Sequence, residues 1–208
     1  AWDRAVEMMS RVVQLVDDPS YRVGVHFRLG RIYEEQLGEP DTGEEQFQHA
    51  LSIDPSHLPS MMRLVELYKL RGDWAKAATM MVRAEAFTQV PMEKAKLLYE
   101  AGAAFLQHLE EEDKAVELFA RTLEVDPDHV QSGEPLSQIY FRDQRWAELE
   151  PVLDMLVRKA DRRDNRTLQD LYFKLARTAD ELQKDDKALK YYRAAYDIDS
   201  THLPTLTG

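Results

Sequence analysis

The fold is decided by residues 58–91, LPSMMRLVELYKLRGDWAKAATMMVRAEAFTQVP. The first half of this stretch carries apolar residues at the spacing i, i+3, i+4, i+7, which is one face of a helix: Met61, Leu64, Val65 and Tyr68. Residues 71–73, Arg-Gly-Asp, interrupt the pattern, and a second helix is predicted from about Trp74. One face of that helix carries Ala77, Met81 and Ala84. Because a bulky face packs closely on a face of small residues, the stretch predicts two antiparallel helices joined by a short turn.

The same 34-residue pattern recurs along the chain, which predicts a single array of helical hairpins. Only the second half of the pattern is present at residues 1–19, and only its beginning at residues 203–208. The whole repeats are residues 23–57, 58–91, 95–129, 130–163 and 169–202. The chain therefore begins and ends within a repeat, and we expect it to be a piece of a longer array.

Three short motifs identify the kind of repeat. The first helix contains LG-x-x-Y at residues 29–33, the second contains A-x-x-x-F at residues 115–119, and Pro55 and Pro127 close their repeats. Together these residues resemble the tetratricopeptide repeat (TPR) family, and the resemblance covers nearly the whole chain. It implies an all-α fold, a right-handed α-solenoid of antiparallel helix hairpins, that serves as a noncatalytic scaffold for protein–protein contacts.

A second period of 72 residues lies on top of the first, because Trp2, Trp74 and Trp146 are 72 residues apart. Alternate repeats also carry extra residues before the first helix, at 20–22, 92–94 and 164–168. Duplication of a two-repeat segment explains this period. A second explanation is that the extra residues lengthen the helices that follow, which then shape a contact surface.

Two prolines predict that the repeat at residues 130–163 is irregular. Pro135 is expected to open a shortened first helix, and Pro151 to bend or delay the second helix, because proline cannot donate a backbone hydrogen bond.

Composition excludes several classes of function. A formal net charge of −11 opposes binding to nucleic acid phosphates and docking on an anionic membrane. The absence of cysteine excludes disulfides, thiolate zinc sites and cysteine nucleophiles. No apolar run reaches the length of a membrane-spanning helix and no signal peptide is visible, so we expect a cytoplasmic protein.

The motifs of chemistry are missing as well. Neither Gly38 nor Gly43 is followed by the G-K-[ST] that completes a phosphate-binding loop, and the acidic run at residues 110–113 lacks the alternating spacing of a calcium loop. The histidines are interpreted as turn or capping residues, because three of them recur at the same repeat position: His57, His129 and His202. We therefore predict no catalytic, cofactor-binding or metal-binding residue and no enzymatic activity.

The candidate binding surface is the face of the first helices that points away from the second helices. By helical periodicity this face carries positions two, five, nine and twelve of each repeat, and in TPR proteins it lines the concave groove where partners bind. The candidate groove residues are Phe27, Arg28, Arg31, Met62, Arg63, Lys69, Lys96, Tyr99, Leu106, Phe141, Phe173 and Arg177. Aromatic, Met and Arg side chains are typical of protein-binding hot spots. We therefore predict that the partner is a peptide or helix with apolar anchors and, because many of the groove residues are basic, some acidic character. The alternative for each residue is packing against the adjacent repeat.

Other readings of the array remain open. One TPR subtype binds chaperone C-terminal tails with a Lys/Asn/Arg clamp. This chain has Phe27 and Arg31 where that clamp requires Lys and Asn, which disfavours this partner. The chain is alternatively a regulatory or substrate-recruiting segment of a larger enzyme. A third alternative is homotypic assembly through open helical ends.

Overall fold

The computed structural model describes residues 2–199, and within this range it is all-helical with no β-strand. The α-helices are α1 (Trp2–Leu15), α2 (Pro19–Ile32), α3 (Pro40–Ile53), α4 (Leu58–Arg71), α5 (Trp74–Glu85), α6 (Pro91–Gln107), α7 (Glu112–Val125), α8 (Val130–Arg142), α9 (Trp146–Lys159), α10 (Asn165–Glu181) and α11 (Asp185–Ile198). The predicted all-α class is confirmed. Among the described helices, none combines the length and the apolar composition needed to cross a bilayer. His202 and the predicted start of a further repeat at 203–208 lie outside the described residues.

The chain divides between Leu118 and Phe119 into two compact units. In the first unit α2 packs on α3 and α4 packs on α5, while α3 contacts α4 and α5 contacts α6. In the second unit α8 packs on α9, and α10 packs on both α9 and α11. Each unit therefore consists of helices packed on their sequence neighbours.

The hairpin of α4 and α5 has the predicted core. The four apolar residues of the first face are buried, with Met61 and Leu64 fully inaccessible to solvent. They meet a helix whose Ala77 and Ala84 are also fully inaccessible. Between the helices Gly72 adopts a left-handed conformation at φ 72°, which glycine adopts without strain, and the Asp73 side chain accepts a hydrogen bond from the Lys76 amide.

Glycine allows a close approach in the hairpin of α2 and α3. A β-carbon at Gly30 would lie 2.5 Å from the ring of Phe47, which is itself fully buried, and one at Gly43 would lie 2.9 Å from the Gly30 carbonyl oxygen. The two glycines therefore allow the α2 backbone to approach α3 with the Phe47 ring between them.

An extra residue is absorbed in a π-helical turn at Tyr33–Leu37, between α2 and α3. There the Glu39 amide donates to the Tyr33 carbonyl at 2.8 Å, six residues back, whereas after α4 the Asp73 amide donates to the Tyr68 carbonyl at 2.9 Å, five residues back. This turn was not predicted. It accommodates the insertion within the helix end, as π-helical turns do.

In two of the three alternate repeats the first helix is longer, whereas α2, which contains the extra residues 20–22, has 14 residues. Helices α6 and α10 each have 17 residues, against 14 in α4 and 13 in α8, and the residues 92–94 lie inside α6. The lengthening required by the second explanation of the 72-residue period is therefore present in α6 and α10 but not in α2. Its role in forming a contact surface stays a prediction.

The expected effect of Pro135 and Pro151 on the helix starts is wrong. Helix α8 begins at Val130, not at Pro135, and α9 begins at Trp146 without delay. The two helices continue through their prolines because each proline removes only one backbone hydrogen bond, while the apolar faces of both helices are buried.

Candidate protein-binding surfaces

The predicted apolar anchors of the first unit differ in their surroundings. Phe27, on α2, has its ring centroid 5.8 Å from that of Phe47 and 5.4 Å from that of His57, so it packs against α3 and the start of α4. Met62 on α4 and Tyr99 on α6 are both partly exposed, as is Leu106 near the end of α6. Phe27 therefore contributes to packing between hairpins, and Met62 is the anchor that lies in an open cleft.

The predicted basic residues on α2 and α4 face carboxylates of the chain itself. Arg63 on α4 reaches Glu34 at 2.7 Å and Glu35 at 3.2 Å, and Arg31 pairs with Glu35 at 2.9 Å. The hydrogen bond from Arg31 lowers the pKa of Glu35, and the same bond raises the pKa of Arg31. Arg63 therefore links α4 to the π-helical turn that follows α2.

A second group of ion pairs joins α4 to α6. Lys69 lies 3.1 Å from Glu100 and 3.8 Å from Glu66, and Lys96 lies 3.8 Å from Glu100. Exposed pairs of this kind contribute about 0–1 kcal/mol each. These pairs matter more for recognition, because four of the five basic side chains of this unit that were predicted to attract an acidic partner are already paired: Arg31, Arg63, Lys69 and Lys96.

The α4–α6 cleft lies among these pairs and has a volume of about 330 Å³. Its apolar wall is formed by Leu58, Met62 and the buried Leu97. The rest of the lining is polar or charged: Glu66, Lys69, Thr88, Glu93, Lys96 and Glu100. The cleft therefore combines an apolar wall of three side chains with a polar and charged surround.

Arg28 lies apart from the α4–α6 cleft. Its side chain is exposed and lines, with Trp2, Met9 and Arg31, a cleft of about 310 Å³ between α1 and α2. The structure therefore separates the candidate residues of the first unit into more than one concave region.

In the second unit, the predicted anchors are partly covered by other side chains. The ring of Phe141 lies 5.6 Å from that of Trp146, in an edge-on arrangement, and the Lys174 ammonium lies 6.0 Å from the Phe141 ring centre. Phe173 lies 6.5 Å from Tyr192, and Arg177 pairs with Glu181 at 2.8 Å. The structure thus brings Phe141 and Lys174 together between α8 and α10.

The α8–α10 cleft of the second unit, at about 480 Å³, is larger than the α4–α6 cleft. It is lined by Val130, Glu134, Ser137, Gln138, Leu156, Lys159, Ala160, Arg166, Thr167, Asp170, Leu171 and Lys174. Val130, Glu134 and Gln138 follow Leu58, Met62 and Glu66 by 72 residues. The two units therefore carry clefts at corresponding positions, but the anchor Met62 of the first is a carboxylate, Glu134, in the second.

One group of residues at the α8–α10 cleft was not predicted. Residues 158–166, RKADRRDNR, contain five basic side chains in nine positions: Arg158 and Lys159 end α9, Arg162 and Arg163 lie in the connection, and Arg166 lies in the first turn of α10. The density of arginine and lysine in an acidic chain is the signal that would have found them.

The two described histidines that recur with the 72-residue period occupy the N-cap positions of α4 and α8, and the His129 side chain also accepts a hydrogen bond from the Ser132 amide. His57 precedes α4 with Nδ1 2.8 Å from the Ser60 hydroxyl, and His129 precedes α8 with Nδ1 3.0 Å from the Ser132 hydroxyl. Burial lowers the pKa of His57, and the nearby charge of Asp54 opposes this shift. Within residues 2–199 there is no group of three His, Asp or Glu side chains placed to hold a metal ion.

Comparison with known proteins points to one family. A model of the tetratricopeptide repeat family matches residues 23–57 and 169–202. No curated protein sequence matches the chain.

Solved structures of similar fold include TPR proteins at low sequence identity. YrrB, described as a TPR protein with an unusual peptide-binding site, is 14% identical with a TM-score of 0.51, over 97% of each chain. The C-terminal part of a TPR repeat-containing protein from Cytophaga hutchinsonii is 17% identical with a TM-score of 0.52, over 99% of this chain and 80% of that one. A tetratricopeptide repeat protein from Parabacteroides merdae is 15% identical with a TM-score of 0.50, over 99% of this chain and 90% of that one. At these identities the likeness shows the fold alone.

Proposed function

We propose that this chain is a noncatalytic scaffold whose first helices bind a peptide or helix of a partner protein. Two of its segments match the tetratricopeptide repeat model, and it has the fold of TPR proteins, which are in general scaffolds for protein–protein interaction. The observation that carries the proposal is the α4–α6 cleft, where the partly exposed Met62 lies beside the buried Leu97. YrrB, which shares the fold, is described as having a peptide-binding site.

The chemistry of the α4–α6 cleft favours an apolar anchor from the partner. Its volume of about 330 Å³ is large enough for one or two side chains, and a methionine wall adapts to different shapes because the thioether is unbranched and flexible. Lys69 and Glu100 are paired with each other across the cleft, so an incoming apolar group leaves neither charge without a partner.

The rim of the cleft gives the partner polar contacts. Glu66 and Lys96 are both exposed, and their ion pairs of 3.8 Å are long enough to rearrange around a bound backbone. An apolar centre inside a polar rim is the arrangement of binding hot spots in protein interfaces.

A pair of substitutions on one helix tests the proposal. Met62→Glu places in the α4–α6 cleft the residue that the second unit has at the corresponding position, and Leu70→Glu makes the same chemical change at a site of α4 that is 82% exposed and outside the cleft. Peptides selected from a displayed random library against the whole chain are measured by fluorescence anisotropy on the parent and both variants. We expect Met62→Glu to weaken binding about tenfold or more, because an anchored apolar side chain contributes about 1.5–3 kcal/mol, and Leu70→Glu to leave it unchanged.

Two results contradict the proposal. The first is that selection against the chain enriches no library peptide beyond a control selection without the protein. The other is a set of enriched peptides that bind Met62→Glu and the parent chain equally, which would place their site elsewhere.

A further inference from the structure

The basic segment, residues 158–166, is a concentration of positive charge in a strongly acidic chain. It contains five Lys and Arg residues and two Asp residues, although the chain as a whole has a net charge of −11. It covers the last residues of α9 and the start of α10, and its Lys159 and Arg166 line the α8–α10 cleft. Its charge therefore acts at the mouth of the larger of the two corresponding clefts.

The carboxylates of the basic segment are occupied by backbone amides. Asp161 accepts a hydrogen bond from the Arg163 amide at 2.9 Å, and Asp164 accepts one from the Thr167 amide at 3.1 Å as the cap of α10. Hydrogen bonds from Thr167 lower the pKa of Asp164, which keeps this carboxylate ionised in its capping role. Both aspartates are thus explained by local structure.

The arginines of the basic segment are only partly neutralised. Arg158 and Lys159 both pair with Asp128, the latter at 2.8 Å, and Arg162 donates to the neutral Tyr172 hydroxyl at 3.0 Å. The exposed Arg163 and Arg166 form no ion pair with any side chain in the described part of the chain. This differs from the α4–α6 cleft, where Lys69 and Lys96 pair with carboxylates of the chain.

The fold alone does not require these charges. Lys159 and Arg162 follow Phe87 and Val90 by 72 residues, and at those corresponding positions of the first unit the side chains are apolar and 40% and 50% exposed. Arg166 differs, because it follows Lys94, which is basic in the first unit as well. At the positions of Lys159 and Arg162, packing therefore does not require a basic side chain. The basic character is therefore free to serve recognition, because exposed charges close together repel one another unless an anion lies between them.

We propose, building on the function proposed above, that the basic segment and the α8–α10 cleft together bind an acidic segment of a protein partner. Its carboxylates contact Arg162, Arg163 and Arg166, and an apolar side chain of the same segment enters the cleft beside Leu171. Arginine suits this role because its planar guanidinium binds a carboxylate through two parallel hydrogen bonds.

A protein ligand fits this surface better than a nucleic acid. The lining of the cleft includes Glu134 and Asp170, which oppose a continuous run of phosphates through the cleft. They oppose an acidic peptide less, because its carboxylates lie at the arginines of the basic segment and only an apolar side chain enters the cleft. The apolar part of the lining, with Val130, Leu156 and Leu171, has no use for a phosphate chain and accommodates an aliphatic side chain.

Charge reversal in the basic segment tests this assignment. The probe is a short fluorescein-labelled peptide of Glu with interspersed Leu, and its comparators are the same peptide with Lys in place of Glu and a single-stranded DNA of equal length. We expect the acidic peptide to bind the whole chain, and Arg163→Glu combined with Arg166→Glu to weaken binding about tenfold or more, because two attractions become repulsions. Binding should also weaken with added salt, since the Debye length falls from about 10 Å at 0.1 M to about 3 Å at 1 M.

A matched control separates location from net charge. Lys190→Glu combined with Arg193→Glu makes the same change of formal charge at exposed positions of α11, and we expect it to retain binding. Far-UV circular dichroism verifies that both double variants remain helical. The inference is overturned if the two double variants weaken binding of the acidic peptide equally, or if this peptide does not bind the parent chain. Tighter binding of DNA than of the acidic peptide also overturns it and shows that the surface serves a nucleic acid.

The result is independent of the test of the α4–α6 cleft. If library peptides depend on Met62 while the acidic peptide does not bind, only the assignment of the basic segment fails. If the acidic peptide depends on Arg163 and Arg166 while no library peptide depends on Met62, the first unit loses its proposed anchor and the second unit keeps its own.

Discussion

Two glycines of the same helix should respond in opposite directions to substitution by alanine. Gly24 and Gly30 both lie inside α2, where alanine is favoured over glycine by about 1 kcal/mol per residue. A β-carbon at Gly24 would meet no atom within 4 Å, so Gly24→Ala should raise the free energy of unfolding by about 0.5–1 kcal/mol. At Gly30 the same atom would lie 2.5 Å, 2.7 Å and 2.9 Å from three atoms of the Phe47 ring.

The cost at Gly30 follows from how little Phe47 can move. Carbon atoms are in favourable contact at about 3.5–4.0 Å, so the ring would have to shift by roughly 1 Å. Phe47 has no solvent exposure, and overpacking of such a core costs about 1–3 kcal/mol. After the gain in helix propensity is subtracted, Gly30→Ala should lower the free energy of unfolding by up to about 2 kcal/mol.

Urea unfolding followed by far-UV circular dichroism measures both variants. With a urea dependence of about 1–3 kcal/mol per M, a change of 1 kcal/mol moves the midpoint by roughly 0.3–1 M. Phe47→Leu provides a further control, because it makes room for the new methyl group, and Gly30→Ala should be less destabilising in that background. Equal stabilisation by Gly24→Ala and Gly30→Ala would refute the close approach of α2 to Phe47.

Two other predictions concern α4. Because burial holds the pKa of His57 below its ordinary value of 6.5, the unfolded chain binds this proton more readily than the folded chain. The free energy of unfolding should therefore be independent of His57 above pH 6.5 and should fall as the pH drops below that value. His57→Gln should reduce this fall, which urea midpoints measured at a series of pH values would show. An unchanged dependence of the midpoint on pH in this variant would contradict the prediction. Met61→Ala, at a fully buried site, should lower the free energy of unfolding by about 2–5 kcal/mol, whereas Met92→Ala, at a site 81% exposed, should change it by less than about 0.5 kcal/mol. Similar losses in the two methionine variants would show that Met61 is not in the core.

The hairpins could be predicted because their determinants are local. The spacing of Met61, Leu64 and Tyr68 is that of one helical face, and Gly72 with Asp73 marks a helix end in residues adjacent in sequence. The π-helical turn could not be predicted, because a single extra residue between Tyr33 and Pro40 is equally compatible with a longer loop.

The charges of the candidate surface were harder to predict than its apolar residues. From the sequence alone, Arg63 was predicted to be available to a partner. Its actual partners, Glu34 and Glu35, lie 29 and 28 residues away on another element. Only the relative position of α2 and α4 reveals that pairing. The basic segment could not be predicted from helical periodicity, because Arg162 and Arg163 lie in a connection and not on the face of a first helix.

The ion pairs that Arg63 and Lys69 make with neighbouring helices affect how the first unit opens. In a stack of repeats, the free energy between adjacent hairpins determines whether one hairpin opens alone or takes its neighbours with it. Arg63 reaches back to Glu34 and Lys69 reaches forward to Glu100, so α4 is coupled by charge in both directions. Dissolved ions weaken these couplings but leave the apolar core nearly unaffected. Ionic strength thus adjusts the cooperativity of this unit separately from the stability of each hairpin.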